Sequence, residues 1–194
     1  MTGRYSYIMR LMALAAVIVG TCVLFPAAAL ADTDHPVDGS GVTKFRTVIE
    51  PGYTCNPSAP TQDSDLHCKY QLSGLFTETT GYLGDGHIGG RMFLDYSAVD
   101  PVTGCIPTSG IFKFQTATGF VRTKLAKVAK TCPDPNVAGG FTQDFLLKVT
   151  SGADAYFDAR GGTIDWTASF KPSKNKPGTL SGPSAWQGTI VTLS

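Results

Sequence analysis

The segment Asp85-Gly86-His87 carries residue types that could act in acid-base chemistry. A carboxylate close to a histidine can tune the imidazole toward a general base that works near neutral pH. The alternative is an exposed turn, in which aspartate and glycine supply the backbone conformation and the histidine has no chemical role. We favour the turn, because residues 81–90 contain several glycines.

Asp158, Arg160 and Asp165 form a second charged group. A guanidinium held by carboxylates could present a fixed cation to an anionic ligand at the mouth of a barrel. The favoured alternative is an ion pair whose only role is to fix the local turn.

Aromatic side chains offer a third possibility, because they could line a lumen and stack against an apolar ligand. The favoured alternative is that they fill the barrel, since about eight strands enclose a volume that side chains nearly fill. Phe170 belongs to this aromatic group. No catalytic residue is identified, and the candidate ligand-binding residues are Tyr156, Arg160, Trp166, Trp186, Phe112 and Phe114.

A small basic cluster could meet a sulfated or phosphorylated polymer. Its members are Arg122, Lys124, Lys127 and Lys130. The favoured alternative is a solvated face of one element, because Asp134 follows and the net charge is close to zero. Serine-nucleophile and phosphate-loop motifs are absent from the sequence.

The elements that must position these groups follow a predicted secretory signal at residues 1–31. Arg4 and Arg10 supply positive charge, an apolar run covers 11–25, and Ala29-Leu30-Ala31 forms a small-x-small cleavage site. The apolar run is too short to favour a stable membrane anchor. The sequence therefore predicts a secreted or cell-envelope protein cleaved after Ala31.

Removal of the signal leaves 14 basic against 15 acidic side chains. Because this balance gives no broad positive field, nucleic acid is not an expected partner. The remaining chain predicts a flexible N-terminal tail at 32–41 and one β-barrel domain at 42–194. The oligomeric state is left open.

Four cysteines remain in the exported chain, an even number that favours two disulfides and no metal site. Three connectivities are possible. We favour Cys55 with Cys68 and Cys105 with Cys132, because each bridge then closes a loop rich in proline and aspartate beside a strand. No Cys-x-x-Cys motif is present, and neither a metal nor another cofactor is predicted.

Residues 141–171 show alternation of apolar and polar residues on both sides of a turn, which predicts a central β-hairpin. Further strands are predicted at 42–50, 68–80, 92–96, 110–118 and 180–194, with turns or loops at 81–90, 100–109 and 131–140. Residues 120–130 fit a helix through Leu125, Val128 and Ala129 or a strand through Val121, Thr123 and Leu125, and we favour the strand. About eight strands with hardly any helical pattern indicate an all-β, antiparallel, closed barrel.

The hairpin turn from Gly152 to Gly161 resembles the Gly-Thr-Gly-x-Phe-x-x-Ala-Arg-Gly segment of the dirigent and allene oxide cyclase barrels. Gly152, Tyr156, Ala159, Arg160 and Gly161 match in register, whereas Asp154 stands where glycine is usual. The resemblance implies a calycin-like, eight-stranded barrel that accepts an apolar small molecule, in some members for cyclisation or stereochemical guidance. It transfers no catalytic residue to this chain.

Non-catalytic binding of an apolar small molecule inside the barrel is thus the leading expectation. One alternative is a cyclase or isomerase in which Tyr156, Arg160 and Asp158 position a reactive substrate. Another is a secreted inhibitor or protein-binding domain that acts through the loops at 53–66 and 100–109.

Overall fold

The structure is a computed structural model that describes residues 31–48, 55–127, 129–176 and 178–193. The predicted signal, apart from Ala31, lies outside the described residues. In the described part, nine strands form a single sheet, and helix is limited to 3₁₀ turns at Asp63–Asp65 and Tyr96–Ala98. The strands are β1 (Asp32–Thr47), β2 (His67–Glu78), β3 (Gly86–Asp95), β4 (Ile106–Thr116), β5 (Gly119–Leu125), β6 (Ala129–Pro133), β7 (Phe141–Asp154), β8 (Ala159–Pro172) and β9 (Thr179–Leu193).

The sheet closes on itself as an antiparallel barrel. Apart from β5 and β6, strands that follow one another along the chain pair with each other, and β1 closes the ring by pairing with β9 from Asp32↔Leu193 to Arg46↔Thr179. β5 and β6 share one position in the ring, because both pair with β4 on one side and β7 on the other. The nine strands therefore occupy eight positions, and the predicted all-β barrel of about eight strands is confirmed.

The central hairpin has the predicted alternation. Phe145 and Leu147 of β7 are fully buried opposite Trp166 and Ile164 of β8, while Leu146 between them is exposed. Every second residue therefore faces the lumen, as the pleat of a strand requires. The predicted strand at 120–130 is present as β5 and the start of β6.

The prediction of a flexible tail at 32–41 is wrong. These residues form the first ten positions of β1 and pair with β9. The strand was hidden because inward positions 39 and 41 are glycines, and a β-carbon at Gly39 would overlap the indole ring of Trp186. Glycine at an inward position breaks the apolar alternation while making room for a large neighbour.

Three strands also extend into segments predicted as turns or loops. β3 begins at Gly86, β4 begins at Ile106, and β6 covers Ala129–Pro133. In β3 the inward positions include Gly86 and Gly90, which pack closely against β4. The glycines at these positions made the sequence of β3 resemble a turn. Glycine is required there because the barrel has no room for a side chain.

The two ends of the barrel differ. We call the end with Asp32 and Leu193 the terminal end, and the opposite end the disulfide end. The disulfide end carries both bridges, Cys55–Cys68 and Cys105–Cys132, in the pairing that the sequence favours. The second bridge ties the segment before β4 to β6, so it fastens the short strand into its place in the ring.

Replacement of both Cys105 and Cys132 by serine should lower the free energy of unfolding by about 3.6 kcal/mol. The estimate comes from the chain-entropy cost of closing a loop of this length, and the two cysteines are 27 residues apart. Urea unfolding followed by far-UV circular dichroism measures the difference. A loss smaller than that of the Cys55→Ser, Cys68→Ser pair, which closes only 13 residues, would contradict this expectation.

Candidate functional site

The predicted aromatic residues lie in the interior of the barrel, where they contact one another. Phe112, Phe114, Trp166 and Trp186 are each at most 2% exposed. Ring centroids are 5.1 Å apart for Phe114 and Trp186 and 6.0 Å apart for Phe112 and Trp166. A ligand that stacks on these rings must therefore enter among side chains that already touch.

Tyr156 and Arg160 lie at the terminal end and do not converge. The Tyr156 hydroxyl donates a hydrogen bond to the Leu83 carbonyl oxygen at 2.7 Å and lies near the Thr116 and Thr118 hydroxyls. Arg160 is on the outside of the barrel and forms an ion pair with Asp32 of β1. Arg160 thus helps to hold β8 against the first residue of β1. Its partner lies outside the β7–β8 turn, where the sequence predicted a local ion pair.

The other charged candidates have local roles. The Asp85 carboxylate accepts a hydrogen bond from the Glu78 backbone N–H at 3.1 Å. The turn interpretation holds for Asp85 alone, because Gly86 and His87 belong to β3. His87 lies exposed on the outer face of β3, and Asp165 lies exposed on the outer face of β8. These side chains form no common site with Arg160.

The turn that resembles the dirigent and allene oxide cyclase barrels joins β7 to β8. A β-carbon at Gly152 would overlap the backbone carbonyl of Tyr156, so glycine is needed at this position. Asp154 adopts a positive φ of 58°, a conformation that glycine takes more readily. Two of the matched positions, Gly152 and Tyr156, therefore serve to build and seal this end of the barrel.

The loop from Glu78 to Gly86 closes the terminal end. Leu83 is 2% exposed and belongs to the core, and Tyr82 stacks on His35 with ring centroids 4.0 Å apart. The Glu78 carboxylate accepts hydrogen bonds from the N–H groups of Gly81 and Gly84 at 2.6 and 3.2 Å, and from Thr80. Burial alone would raise the pKa of Glu78, but these hydrogen bonds outweigh it and lower the pKa below the ordinary value.

A chain of neutral polar groups crosses the interior near the disulfide end. The Thr108 and Thr131 hydroxyls are 2.9 Å apart, and the Gln143 amide Nε2 donates to Thr131 at 3.3 Å. The same Nε2 lies 3.7 Å from the Met92 sulfur, which reaches across from β3. Gln143 is only 3% exposed, so an amide group stands within an apolar interior.

Several polar atoms in the interior have no hydrogen-bond partner within the described part of the chain. They are Gln143 Oε1, Trp166 Nε1, Thr43 Oγ1 and Thr123 Oγ1. An unpaired buried polar atom costs about 1–3 kcal/mol. A molecule bound in the lumen could form hydrogen bonds with some of these atoms.

The core reaches the surface mainly at the disulfide end. Tyr70 and Tyr96 lie there with their hydroxyl oxygens 3.0 Å apart, and both rings are partly buried. The other partly buried apolar side chains at this end are Val99, Ala129, Phe141 and Leu180. Two more lie elsewhere: Leu125 at the break between β5 and β6, and Tyr82 at the terminal end. Burial raises the pKa of Tyr96, against a smaller opposing effect of the bond to Tyr70, so its hydroxyl stays protonated near neutral pH.

The candidate site is therefore the disulfide end of the lumen, centred on Gln143, Thr131, Tyr70 and Tyr96. Hydroxyl and amide groups can orient a ligand by hydrogen bonds, and they neither gain nor lose a proton near neutral pH. Thr131 and Gln143 were missed because the search covered charged and aromatic groups, and Tyr70 and Tyr96 were missed because nothing in the sequence places them at the same end of the barrel. Position 143 could have been found, because it falls in the inward register of the apolar residues at 145, 147 and 149.

No protein-family model matches the chain, and no curated protein matches it. Among solved structures, an acetoacetate decarboxylase-like enzyme from Sphingomonas wittichii RW1 aligns with 89% of this chain and 97% of its own, at 10% identity and a TM-score of 0.23. A likeness at that level carries no argument about fold or function. In the described residues no helix is long and apolar enough to cross a membrane, and no group of three metal-ligating side chains lies together.

Replacement of Glu78 by glutamine should lower the free energy of unfolding by about 1–2 kcal/mol at neutral pH, because charge-assisted hydrogen bonds are lost. The folded-state pKa of Glu78 is lowered, so its stabilisation is full above the ordinary value of 4.5 and is lost as pH falls through the folded-state pKa. Urea unfolding of both proteins across this pH range measures the difference. Asp144→Asn, at an exposed outer position of β7, is the control, and a difference that does not shrink in acid would contradict the assignment.

Proposed function

We propose that this protein is a secreted, non-catalytic barrel that binds an apolar small molecule at the disulfide end of its lumen. The observation that carries the proposal is that apolar core side chains become accessible at this end, while the terminal end is sealed by Leu83 and Tyr156. An apolar ligand would enter where core surface already meets solvent. Two disulfides are consistent with an extracellular location.

The chemistry of the site favours one class of ligand. The walls are aromatic and aliphatic: Phe45 stacks on Tyr70 with centroids 4.5 Å apart and contacts Phe170 at 5.6 Å. Beneath them, Gln143 Oε1 is an acceptor to which no group of the described residues donates a hydrogen bond. An apolar molecule with one N–H or O–H group would bury its surface against the rings and satisfy this acceptor.

Binding is favoured over catalysis because the groups that converge here are neutral. The buried carboxylates Asp65 and Glu78 accept hydrogen bonds from loop backbone, outside the lumen site. The cyclase or isomerase alternative requires Tyr156, Arg160 and Asp158 to act together, but Tyr156 bonds to Leu83 and Arg160 pairs with Asp32. A relation to dirigent and allene oxide cyclase barrels stays part of the proposal and rests on the β7–β8 turn.

A second candidate, a protein-binding role of the loop at 100–105, is favoured by one observation. Val102 is 91% exposed at the tip of a firmly held turn. The Asp100 carboxylate accepts from the N–H groups of Val102 and Thr103 at 3.0 and 3.2 Å, and the Asp100 N–H donates to the Cys105 carbonyl at 3.0 Å. A rigid loop that presents an apolar side chain loses little entropy when a partner covers it.

The neutral probe N-phenyl-1-naphthylamine, which is apolar and carries one N–H donor, should bind the wild-type protein saturably at one site. Both tryptophans of the chain, Trp166 and Trp186, lie in the lumen, so quenching of their emission reports binding nearby. Gln143→Leu should weaken binding about three- to tenfold, since one hydrogen bond contributes about 0.5–1.5 kcal/mol. The same variant should unfold no more easily than the wild type, because it removes an unpaired polar atom from the core.

Tyr156→Phe is the matched control, because it also deletes a buried polar atom but at the terminal end. It should leave the Kd of the probe unchanged. Failure of the wild type to bind the probe saturably would reject the lumen site, and so would equal losses of affinity in the two variants.

A photo-crosslinking amino acid at position 102 should give a defined covalent product in the secreting culture if the loop binds a protein. The same group at position 157 is the control, because Phe157 is 78% exposed at the terminal end. Denaturing electrophoresis compares the two. Identical products from both positions, or none from position 102, would exclude the loop as a specific binding surface.

A further inference from the structure

Two rows of side chains run across the outer face of the barrel, and each row joins residues that pair directly between neighbouring strands. The first row crosses β1, β2, β3, β4, β5 and β7 and carries four cations. Its members in order are Arg46, Gln71, Arg91, Ile111, Lys124 and Lys148. All six side chains are exposed.

The second row lies beside the first, toward the terminal end, and carries three more cations. Its members in order are Lys44, Ser73, Gly89, Lys113, Arg122 and Ser151. A β-carbon at Gly89 would meet no atom within 4 Å, so this position is open. Gly89 lies in a surface hollow of about 490 Å³ whose lining includes Arg91, Lys113, Arg122 and Lys124.

The seven cations of the two rows differ from other cations in the described part of the chain in having no ion-pair partner there. Neither row contains a carboxylate, and among the described residues no ion pair joins any of the seven cations to one. By contrast, Lys130 forms an ion pair with Asp100, and Arg160 forms one with Asp32. Lys113 and Arg122 instead lie 4.2 and 5.0 Å from the centroid of the Phe120 ring, which holds both near the hollow.

The basic cluster at 122–130 in the sequence corresponds only in part to this surface. Arg122 and Lys124 belong to the rows, but Lys130 is paired, and Asp134 accepts a hydrogen bond from Ser169 in the loop region of the disulfide end. The remaining cations come from strands distant in sequence. Overall neutrality therefore conceals a band of cations that runs across six neighbouring strands.

We propose that these two rows, which we call the cationic face, bind a linear polymer that carries sulfate groups. The geometry favours a flexible chain over a flat membrane. The first row passes over six of the eight positions of a closed ring and spans roughly 24 Å at about 4.8 Å per strand. A planar surface touches only part of such a curved row, whereas a flexible polymer follows it.

Individual members of the cationic face suit anionic groups in complementary ways. Arg91 and Arg122 can each donate two parallel hydrogen bonds to a sulfate or phosphate, and the lysines act as point charges between them. Ile111, which is 59% exposed between Arg91 and Lys124, offers an apolar contact for the backbone of the polymer. The hollow at Gly89 can accept one anionic group below the level of the surrounding side chains.

Dextran sulfate, with uncharged dextran as the reference, tests the proposal by fluorescence anisotropy with labelled polymer. The wild-type protein should bind dextran sulfate, with an affinity that falls as ionic strength rises toward ~0.15 M. The triple variant Arg91→Gln, Lys113→Gln, Arg122→Gln should bind about tenfold more weakly, because each exposed ion pair contributes a factor of about two. The control Lys171→Gln, Lys174→Gln, Lys176→Gln removes the same charge from exposed positions around the β8–β9 loop and should bind as the wild type does.

Thermal melting of both triple variants establishes that they are folded before binding is compared. Equal losses of affinity in the two variants would overturn the proposal, since only total charge would then matter. Tighter binding to phosphatidylglycerol vesicles than to dextran sulfate would overturn it in favour of a membrane surface. Sodium sulfate could also compete with the labelled polymer as effectively, per sulfate group, as unlabelled dextran sulfate does. That result would overturn the proposal, because the cationic face would then bind single anions.

Discussion

Closure of the barrel by the pairing of β1 with β9 is the constraint on which the rest of the structure depends. The pairing runs from Asp32↔Leu193 to Arg46↔Thr179 and joins the two extremities of the domain. Without it the sheet would have two open edges and no enclosed interior. With it, every strand has one face toward a common lumen and one toward solvent. Both proposed binding surfaces follow from this alternation, because the lumen site uses inward residues and the cationic face uses outward residues of the same strands.

The two ends of the closed barrel differ in how completely they cover the core. At the terminal end, Tyr156, Leu83 and the hydrogen-bonded Glu78 loop cover the core, and Arg160 with Asp32 fastens the closing strand. At the disulfide end the core is less completely covered, and the two bridges hold the loops around it. Covalent links restrain an end whose apolar surface is partly exposed, where packing alone would contribute less.

Alternation of residue types was sufficient to predict the barrel class, the central hairpin and most strands, because the inward positions of β7 from 145 to 149 and of β8 from 164 to 170 are apolar. It failed where inward positions are glycines, as at Gly39, Gly41 and Gly86, since close packing there requires the absence of a side chain. The aromatic residues were correctly placed in the interior, but the polar chain of Thr108, Thr131 and Gln143 combines three strands and depends on register. The cationic face depends on register even more strongly, because it collects single residues from strands that lie far apart in the sequence.

Native mass spectrometry of the protein purified from its own secreting culture tests the central claim most directly, when it is run before and after mild organic extraction. If the disulfide end of the lumen binds an apolar molecule, the intact protein should carry an additional mass that extraction removes, and the Gln143→Leu variant should carry less of it. After extraction the mass should equal that of the chain less four hydrogens, as two disulfides require. A wild-type protein that shows only this bare mass before extraction would contradict the account and indicate a packed barrel that acts through its surface.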